Sequence, residues 1–156
     1  MTFTPNSIFH IYNQGNNRER IFFRDENYLY FLRKMRVYLM PYGQLLCYCL
    51  MPNHFHWLFY VEQLSVLIPA EENTRDIPVT KERTLNDAIA ILLRSYTQAV
   101  NKQENRSGSL FRKHTKAKDG WEDPNLPPWH PQYALVLKNW ELYGATCFQY
   151  IHNNPV

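Results

Sequence analysis

Apolar and polar residues recur along the chain with two different periods, and these predict a strand followed by a helix. Residues 8–13, IFHIYN, form a short apolar and aromatic run that ends before Gly15, as a strand does. In residues 24–40 the apolar side chains recur every three or four positions, which predicts an amphipathic helix. Pro41 and Gly43 end this helix. The apolar stripe consists of Tyr28, Phe31, Leu32, Met35 and Leu39.

Two strands in close succession are predicted next. Residues 44–51, QLLCYCLM, are almost entirely apolar, which is typical of a strand buried on both faces. Pro52 and Asn53 form a tight turn, and residues 54–61 make the following strand. Because the turn is so short, the two strands are predicted to pair as an antiparallel hairpin.

Two more helices are predicted farther along the chain. Residues 84–87, TLND, resemble a capping box at a helix start, with Asp87 where Glu or Gln is favoured. A last helix begins near Asn139 and ends at Pro155. The apolar stripe of the first of these helices is Leu85, Ala88, Ile89, Leu92, Tyr96 and Val100. The stripe of the second is Trp140, Tyr143, Gly144, Cys147 and Ile151.

The order β-α-β-β-α-(β)-α predicts an α+β fold, an antiparallel sheet with helices packed on one face. A chain of 156 residues is long enough for one hydrophobic core, so we expect a single domain over residues 1–156. Surface insertions are expected near residues 62–83 and 119–137, where prolines and polar residues interrupt the periodic pattern.

Composition narrows the class of protein. Hydrophobic residues make up 45% of the chain and aromatic residues 15%, which excludes a disordered protein. No apolar run approaches the roughly 20 residues that span a bilayer, and the N-terminus lacks the features of a signal peptide. We therefore expect a cytoplasmic protein with no membrane partner. Cys47 and Cys49 are interpreted as small apolar residues, because no second cysteine pair completes a zinc site.

Positive charge is concentrated in one segment, although the whole chain has a net charge of only +3. Residues 102–118 carry six basic residues against one acid, Glu104. This one-sided charge favours a nucleic-acid surface, and the alternative is an ordinary solvated surface. The basic residues are Lys102, Arg106, Arg112, Lys113, Lys116 and Lys118.

The sequence LMPNHFHWLFYV places two histidines in an apolar strand. Since side chains alternate between the two faces of a strand, His54 and His56 share a face with Leu58 and Tyr60. The intervening residues are all apolar and are predicted to face the helices. Two imidazoles at positions i and i+2 can hold one divalent cation. The alternative is a pair of partly exposed histidines that bind only water and backbone.

A third candidate ligand lies in the last predicted helix. Tyr150 and Asn154 are four residues apart and therefore lie one turn apart on one face of a helix. The alternative is a tyrosine that only packs against its neighbours and an asparagine that only precedes the helix-ending Pro155.

These motifs together resemble the HUH single-tyrosine transposases, which include insertion-sequence transposases and REP-associated tyrosine transposases. The resemblance rests on MPNHFH, on YIHNNPV, on GSLFRKH, and on the opening FHIYNQGNNRERIFFRDENYLYFL. These four motifs occur in the family's order and span nearly the whole chain. The resemblance implies a ferredoxin-like or RRM-like HUH endonuclease fold. The chain departs from the family in a proline-rich stretch at residues 119–131 and in ending at Val156, soon after the last motif.

The resemblance also implies a site and a reaction. His54, His56 and Asn154 would bind Mg²⁺ or Mn²⁺, and Tyr150 would be the nucleophile that forms a covalent 5′-phosphotyrosine. The substrate would be single-stranded DNA, expected beside a DNA hairpin, and the process DNA transposition. A homodimer is a further possibility in the family. Candidate DNA contacts are Arg18, Arg20 and Arg24, together with the six basic residues of segment 102–118.

Three alternatives stay open at the level of sequence. A non-catalytic module that binds single-stranded nucleic acid, or a decayed transposase copy, would bind DNA without cleaving it. Another HUH class, such as a replication initiator or relaxase, commonly uses three histidines for the metal. A zinc hydrolase using His54 and His56 would cleave with water and leave no protein–DNA adduct.

Overall fold

A computed structural model of the chain describes residues 1–69 and 80–119, together with positions 149, 151 and 153, which are helical. The described strands and helices follow the predicted order, with one additional strand pair. They are β1 (Ser7–Gln14), α1 (Asp25–Leu39), β2 (Gly43–Met51), β3 (His54–Val61), β4 (Ser65–Pro69), β5 (Thr80–Thr84), α2 (Leu85–Gln103) and β6 (Lys116–Asp119).

Four of these strands form an antiparallel sheet in the order β2-β3-β1-β6. The predicted hairpin of β2 and β3 is confirmed, with a bulge between Leu45 and Cys47. Within residues 62–83, which were predicted as a surface insertion, β4 and β5 pair as a separate two-stranded ladder. The mixed α+β class with an antiparallel sheet is therefore as predicted.

The main hydrophobic core lies between one face of the sheet and helices α1 and α2. Phe55, Trp57, Phe59 and Val61 of β3 are fully buried there, which confirms the predicted alternation along this strand. The whole predicted apolar stripe of α2 is also buried. Thr84 caps α2 through a reciprocal capping box with Asp87, as the sequence predicts.

Two details of the core differ from the prediction. The strand β2 is not buried on both faces, because Leu46 and Tyr48 are 43% and 46% exposed. It is an edge strand of the sheet in the described part of the chain, as β6 is on the other side, so fewer elements cover it. In α1 the buried polar residue Asn27 joins the stripe, where its Oδ1 accepts hydrogen bonds from the backbone N–H groups of Phe23 and Arg24.

The opposite face of the sheet carries a smaller apolar cluster. Cys49 and Leu58 are buried together with Ile151, so a helical position near the C-terminus covers part of this face. The other predicted members of that helix's stripe lie outside the described residues. Among the residues that the structure describes, no helix is long and apolar enough to cross a membrane.

Candidate functional site

The two histidines of the motif lie at the start of β3, on the sheet face that points away from α1 and α2. His54 and His56 are both half-buried, and their ring centroids are 5.1 Å apart. Antiparallel pairing sets Gln14 of β1 opposite His54 and Tyr12 opposite His56. The predicted shared face of the two imidazoles is thus confirmed.

A third imidazole, which the sequence analysis did not single out, adjoins the pair. His10 lies on β1 diagonally across from His56, and its Nε2 is 2.8 Å from Nδ1 of His56. The two rings stack with centroids 5.0 Å apart, and His10 is only 8% exposed. The contact depends on the register between β1 and β3, which the alternation of either strand alone does not define.

Burial keeps these histidines neutral at pH 7. It lowers the pKa of His10 to about 4, with a smaller contribution from the charge of Lys118. It also lowers the pKa of His56 to about 4, assisted by repulsion from the other two imidazoles. Burial likewise lowers the pKa of His54. Since a neutral imidazole is the form that binds a metal ion, these histidines would not have to lose a proton before binding one.

Hydrogen bonds define which ring nitrogen of each histidine can bind a metal. Nδ1 of His54 lies 2.6 Å from Oδ1 of Asn53, an atom that can only accept, so Nδ1 carries the proton. For His56 to bind a metal through Nε2, its Nδ1–H must donate to Nε2 of His10. In this state Nε2 of each ring is the unprotonated nitrogen, the form in which an imidazole binds a metal ion.

His10 is thus a hydrogen-bond partner of the pair rather than a third ligand beside it. Its Nε2 contacts the Nδ1 side of His56, away from the nitrogen that would bind the ion. In the part of the chain that the structure describes, no cluster of three His, Cys, Asp or Glu side chains could hold a metal. A metal ion bound by His54 and His56 would therefore need a further ligand of another type, such as an amide, or one from outside the described residues.

A small cavity of about 190 Å³ opens at the two histidines. Tyr12 forms part of its wall, where its ring stacks on His56 and His10 at centroid distances of 5.6 Å and 4.9 Å. The remaining lining residues are Asn13, Gln14, Arg112, His114 and Lys116. The cavity thus joins the imidazoles to part of the predicted basic segment.

That basic segment is held beside the histidines by β1. The backbone N–H of Arg112 donates to the carbonyl of Gln14 at 2.9 Å, and β6 pairs Lys116 with Tyr12. The buried Asn13 donates from its amide to the hydroxyl of Thr115 at 2.9 Å and to the carbonyl of Arg112 at 3.2 Å. The backbone that carries these positive side chains is therefore anchored to β1 at the edge of the site.

The predicted DNA contacts are not equivalent in the structure. Arg24 pairs with Glu104 at 3.2 Å, and Arg106 pairs with Glu19 at 3.0 Å, so each of these charges is offset within the protein. Seven others are exposed: Arg18, Arg20, Lys102, Arg112, Lys113, Lys116 and Lys118. Of these, the structure brings Arg112 and Lys116 to the histidine cavity.

Tyr150 and Asn154 lie outside the described residues, so their predicted roles stay predictions. Their neighbour Ile151 is described, and it is buried against Cys49 and Leu58. Cys49 pairs with His56 across the β2–β3 ladder. The residue that follows Tyr150 in the sequence therefore packs on the same face of the sheet as the histidines.

Comparison with known proteins agrees with the fold. A similar solved structure is that of a REP-associated tyrosine transposase bound to a REP hairpin, with a TM-score of 0.50 over 94% of this chain and 71% of that chain. The two sequences are 7% identical, so the similarity shows a shared fold. No family model and no curated protein matches the sequence. The chain therefore shares its fold with that transposase.

Proposed function

We propose that this protein is a metal-dependent single-stranded DNA endonuclease and strand transferase of the HUH single-tyrosine type, acting in DNA transposition. The observation that carries the proposal is the pair His54 and His56: two neutral imidazoles with hydrogen-bonded Nδ1 atoms, facing a cavity with a basic edge. The shared fold with a tyrosine transposase supports the same conclusion.

The residues fit a divalent cation. His54 and His56 would each contribute Nε2, and Asn154 would contribute its side-chain oxygen. Imidazole ligands suit Mn²⁺ better than Mg²⁺, which prefers oxygen, so Mg²⁺ would bind more weakly at this site. When bound, the ion would polarise the scissile phosphate and stabilise the negative charge of the transition state.

Tyr150 supplies the nucleophile in this proposal. Its phenolic hydroxyl loses a proton as the oxygen bonds to the phosphorus, the bond from phosphorus to the 3′ oxygen breaks, and that oxygen takes up a proton and leaves as a 3′-OH. The product is a 5′-phosphotyrosine on the DNA that lies 3′ of the cut. Because the phosphodiester energy is conserved in this bond, attack by another 3′-OH rejoins strands without a nucleotide cofactor.

Arg112 and Lys116 are the basic residues best placed to hold the strand beside the histidines. Both line the cavity, and the segment that carries them is hydrogen-bonded to β1. Contacts from Arg and Lys to phosphates give affinity without reading the bases. The neighbouring transposase fold was solved with a REP hairpin, so a DNA hairpin beside the cleaved single strand is the substrate proposed here.

An adduct assay tests the proposal. Hairpin oligonucleotides labelled at the 5′ or 3′ end would be incubated with the protein and Mg²⁺ or Mn²⁺, then separated in SDS. We expect an SDS-resistant adduct that carries the label 3′ of the cut, is lost with EDTA, and is lost in Tyr150→Phe. Tyr60→Phe is the matched control, since the hydroxyl of Tyr60 donates to Oδ1 of Asn6 at 3.2 Å and Tyr60 does not line the histidine cavity.

Two results would contradict the proposal. Cleavage without an adduct would identify water as the nucleophile and favour a hydrolase. Binding without cleavage, across a broad set of hairpin oligonucleotides and both metals, would favour a non-catalytic binding module or a decayed copy.

A further inference from the structure

The structure contains a second and larger cavity, on the side of α2 that faces the basic segment. Its volume is about 480 Å³, within the range of sites that hold a small ligand or one unit of a polymer. Arg94 of α2 lines one side, and Arg112, Lys113 and His114 line the other. None of the described residues that line this cavity is acidic.

The neutral polar side chains of this cavity already bind within the protein. The hydroxyl of Thr97 donates to the carbonyl of Leu93 at 2.8 Å, and the amide of Asn86 donates to the carbonyl of Met1 at 2.9 Å. The amide of Asn13 is used by the basic segment, as described above. The side chains best able to bind a ligand are therefore the positively charged ones. They favour an anion bound through its charge, such as a phosphate, over a nucleic-acid base recognised by hydrogen bonds.

The two cavities are neighbours. Asn13, Arg112 and His114 line both the histidine cavity and the larger one. A strand whose phosphate lies at the histidines would therefore have an adjoining positively charged cavity for the next part of its backbone.

We propose that the larger cavity is a phosphate-binding subsite that holds the backbone of the single strand beyond the scissile position, with Arg94 as the contact contributed by α2. This rests on the proposed function for its choice of DNA as the ligand. The contact is to phosphate, so it adds affinity equally for all base sequences. Arg94 was not among the DNA contacts that the sequence predicts.

The test measures binding without chemistry. Fluorescence anisotropy would follow labelled 12-nucleotide dT and dA strands binding to the full chain in EDTA, between 0.05 and 0.3 M salt. One phosphate contact on a single strand changes the slope of the logarithm of the association constant against the logarithm of the salt concentration by about 0.7. At 0.1 M salt, taking 1 M as the reference, one such contact therefore strengthens binding about fivefold. Arg94→Gln should therefore bind about fivefold more weakly on both strands, with a slope about 0.7 shallower.

A matched control and a second variant keep the test specific. Arg36→Gln removes an exposed arginine from α1 that lines neither cavity, and it should leave affinity and slope unchanged. Lys113→Gln should reproduce the effect of Arg94→Gln, and the double variant should lower the slope by about 1.4. Thermal unfolding of each variant checks that the fold is retained.

The outcomes separate this inference from the proposed function. Unchanged affinity and slope in Arg94→Gln would overturn the subsite, even if the wild-type protein forms the tyrosine adduct. A weaker, sequence-independent affinity in Arg94→Gln would support the subsite even if no adduct ever forms. A loss confined to one base sequence would overturn the phosphate contact, and a wild-type protein that binds neither strand would overturn the subsite together with the DNA ligand.

Discussion

Replacing His10 by leucine tests whether this residue orients His56, one of the two histidines that we propose bind a metal ion. The substitution keeps a buried apolar side chain at the position but removes Nε2, the atom that lies 2.8 Å from Nδ1 of His56. In the metal-binding state Nδ1 of His56 carries a proton and needs an acceptor. Without His10 that donor loses its partner in a half-buried site, and the other tautomer, with the proton on Nε2, becomes favoured.

The magnitude follows from the cost of that lost bond. A donor left without an acceptor in a protein interior costs about 1–3 kcal/mol. Loss of an outer partner of a metal-binding histidine typically lowers metal affinity by about 10–100-fold, which is about 1.4–2.7 kcal/mol. Both ranges agree, so we expect His10→Leu to weaken Mn²⁺ binding by at least about tenfold.

Isothermal titration calorimetry with Mn²⁺ at pH 7.5 measures this affinity directly, without DNA. His10→Gln is the matched control, because its side-chain oxygen can accept the same hydrogen bond and should recover most of the affinity. The tautomer of His56 can be read independently from the ¹⁵N chemical shifts of its ring in the metal-free protein. Equal Mn²⁺ affinity in wild type and His10→Leu, with an unchanged His56 tautomer, would refute the reasoning.

Three further predictions follow from the same structure. Asn53→Ala removes the acceptor of His54 Nδ1–H and should lower Mn²⁺ affinity by about tenfold in the same titration, so an unchanged affinity would contradict the assigned role. In EDTA the free energy of unfolding should fall as the pH drops from 6.5 to about 4, because His10 binds a proton in this range in the unfolded chain but not in the folded one. The expected loss is about 3 kcal/mol for His10. A free energy of unfolding that stays constant over this range in urea melts would contradict the prediction. Thr84→Ala removes the N-cap of α2 and should cost about 1 kcal/mol in those melts without changing Mn²⁺ affinity, whereas a change in affinity would link this cap to the site.

Local patterns predicted the elements of this fold well. The capping box at Thr84 and the apolar stripe of α2 involve residues within one helix, so their spacing alone defines them. The same holds for β3, where strict alternation separates the core residues from His54 and His56. Strand β2 was less predictable, because its exposure depends on its outer position in the sheet rather than on its own composition.

The outer parts of the site depend on contacts that no local pattern encodes. His10 reaches His56 only because β1 and β3 pair in one particular register. Asn13 hydrogen-bonds to the segment around Arg112, which is about a hundred residues away in the sequence. Asparagine is common at strand ends, so the sequence around Asn13 does not indicate this contact. The sequence therefore predicts the histidine pair His54 and His56, whereas the residues that contact the pair are identified only in the folded structure.

The most direct test of the central claim is to identify the amino acid that carries the DNA. After the adduct reaction, digestion with trypsin and nuclease followed by tandem mass spectrometry would locate the residual nucleotide on a peptide. The account predicts a phosphotyrosine linkage on Tyr150, within the peptide of residues 139–156, and only when Mg²⁺ or Mn²⁺ was present. A nucleotide on Tyr12, the tyrosine that lines the histidine cavity, would contradict the assignment of the nucleophile.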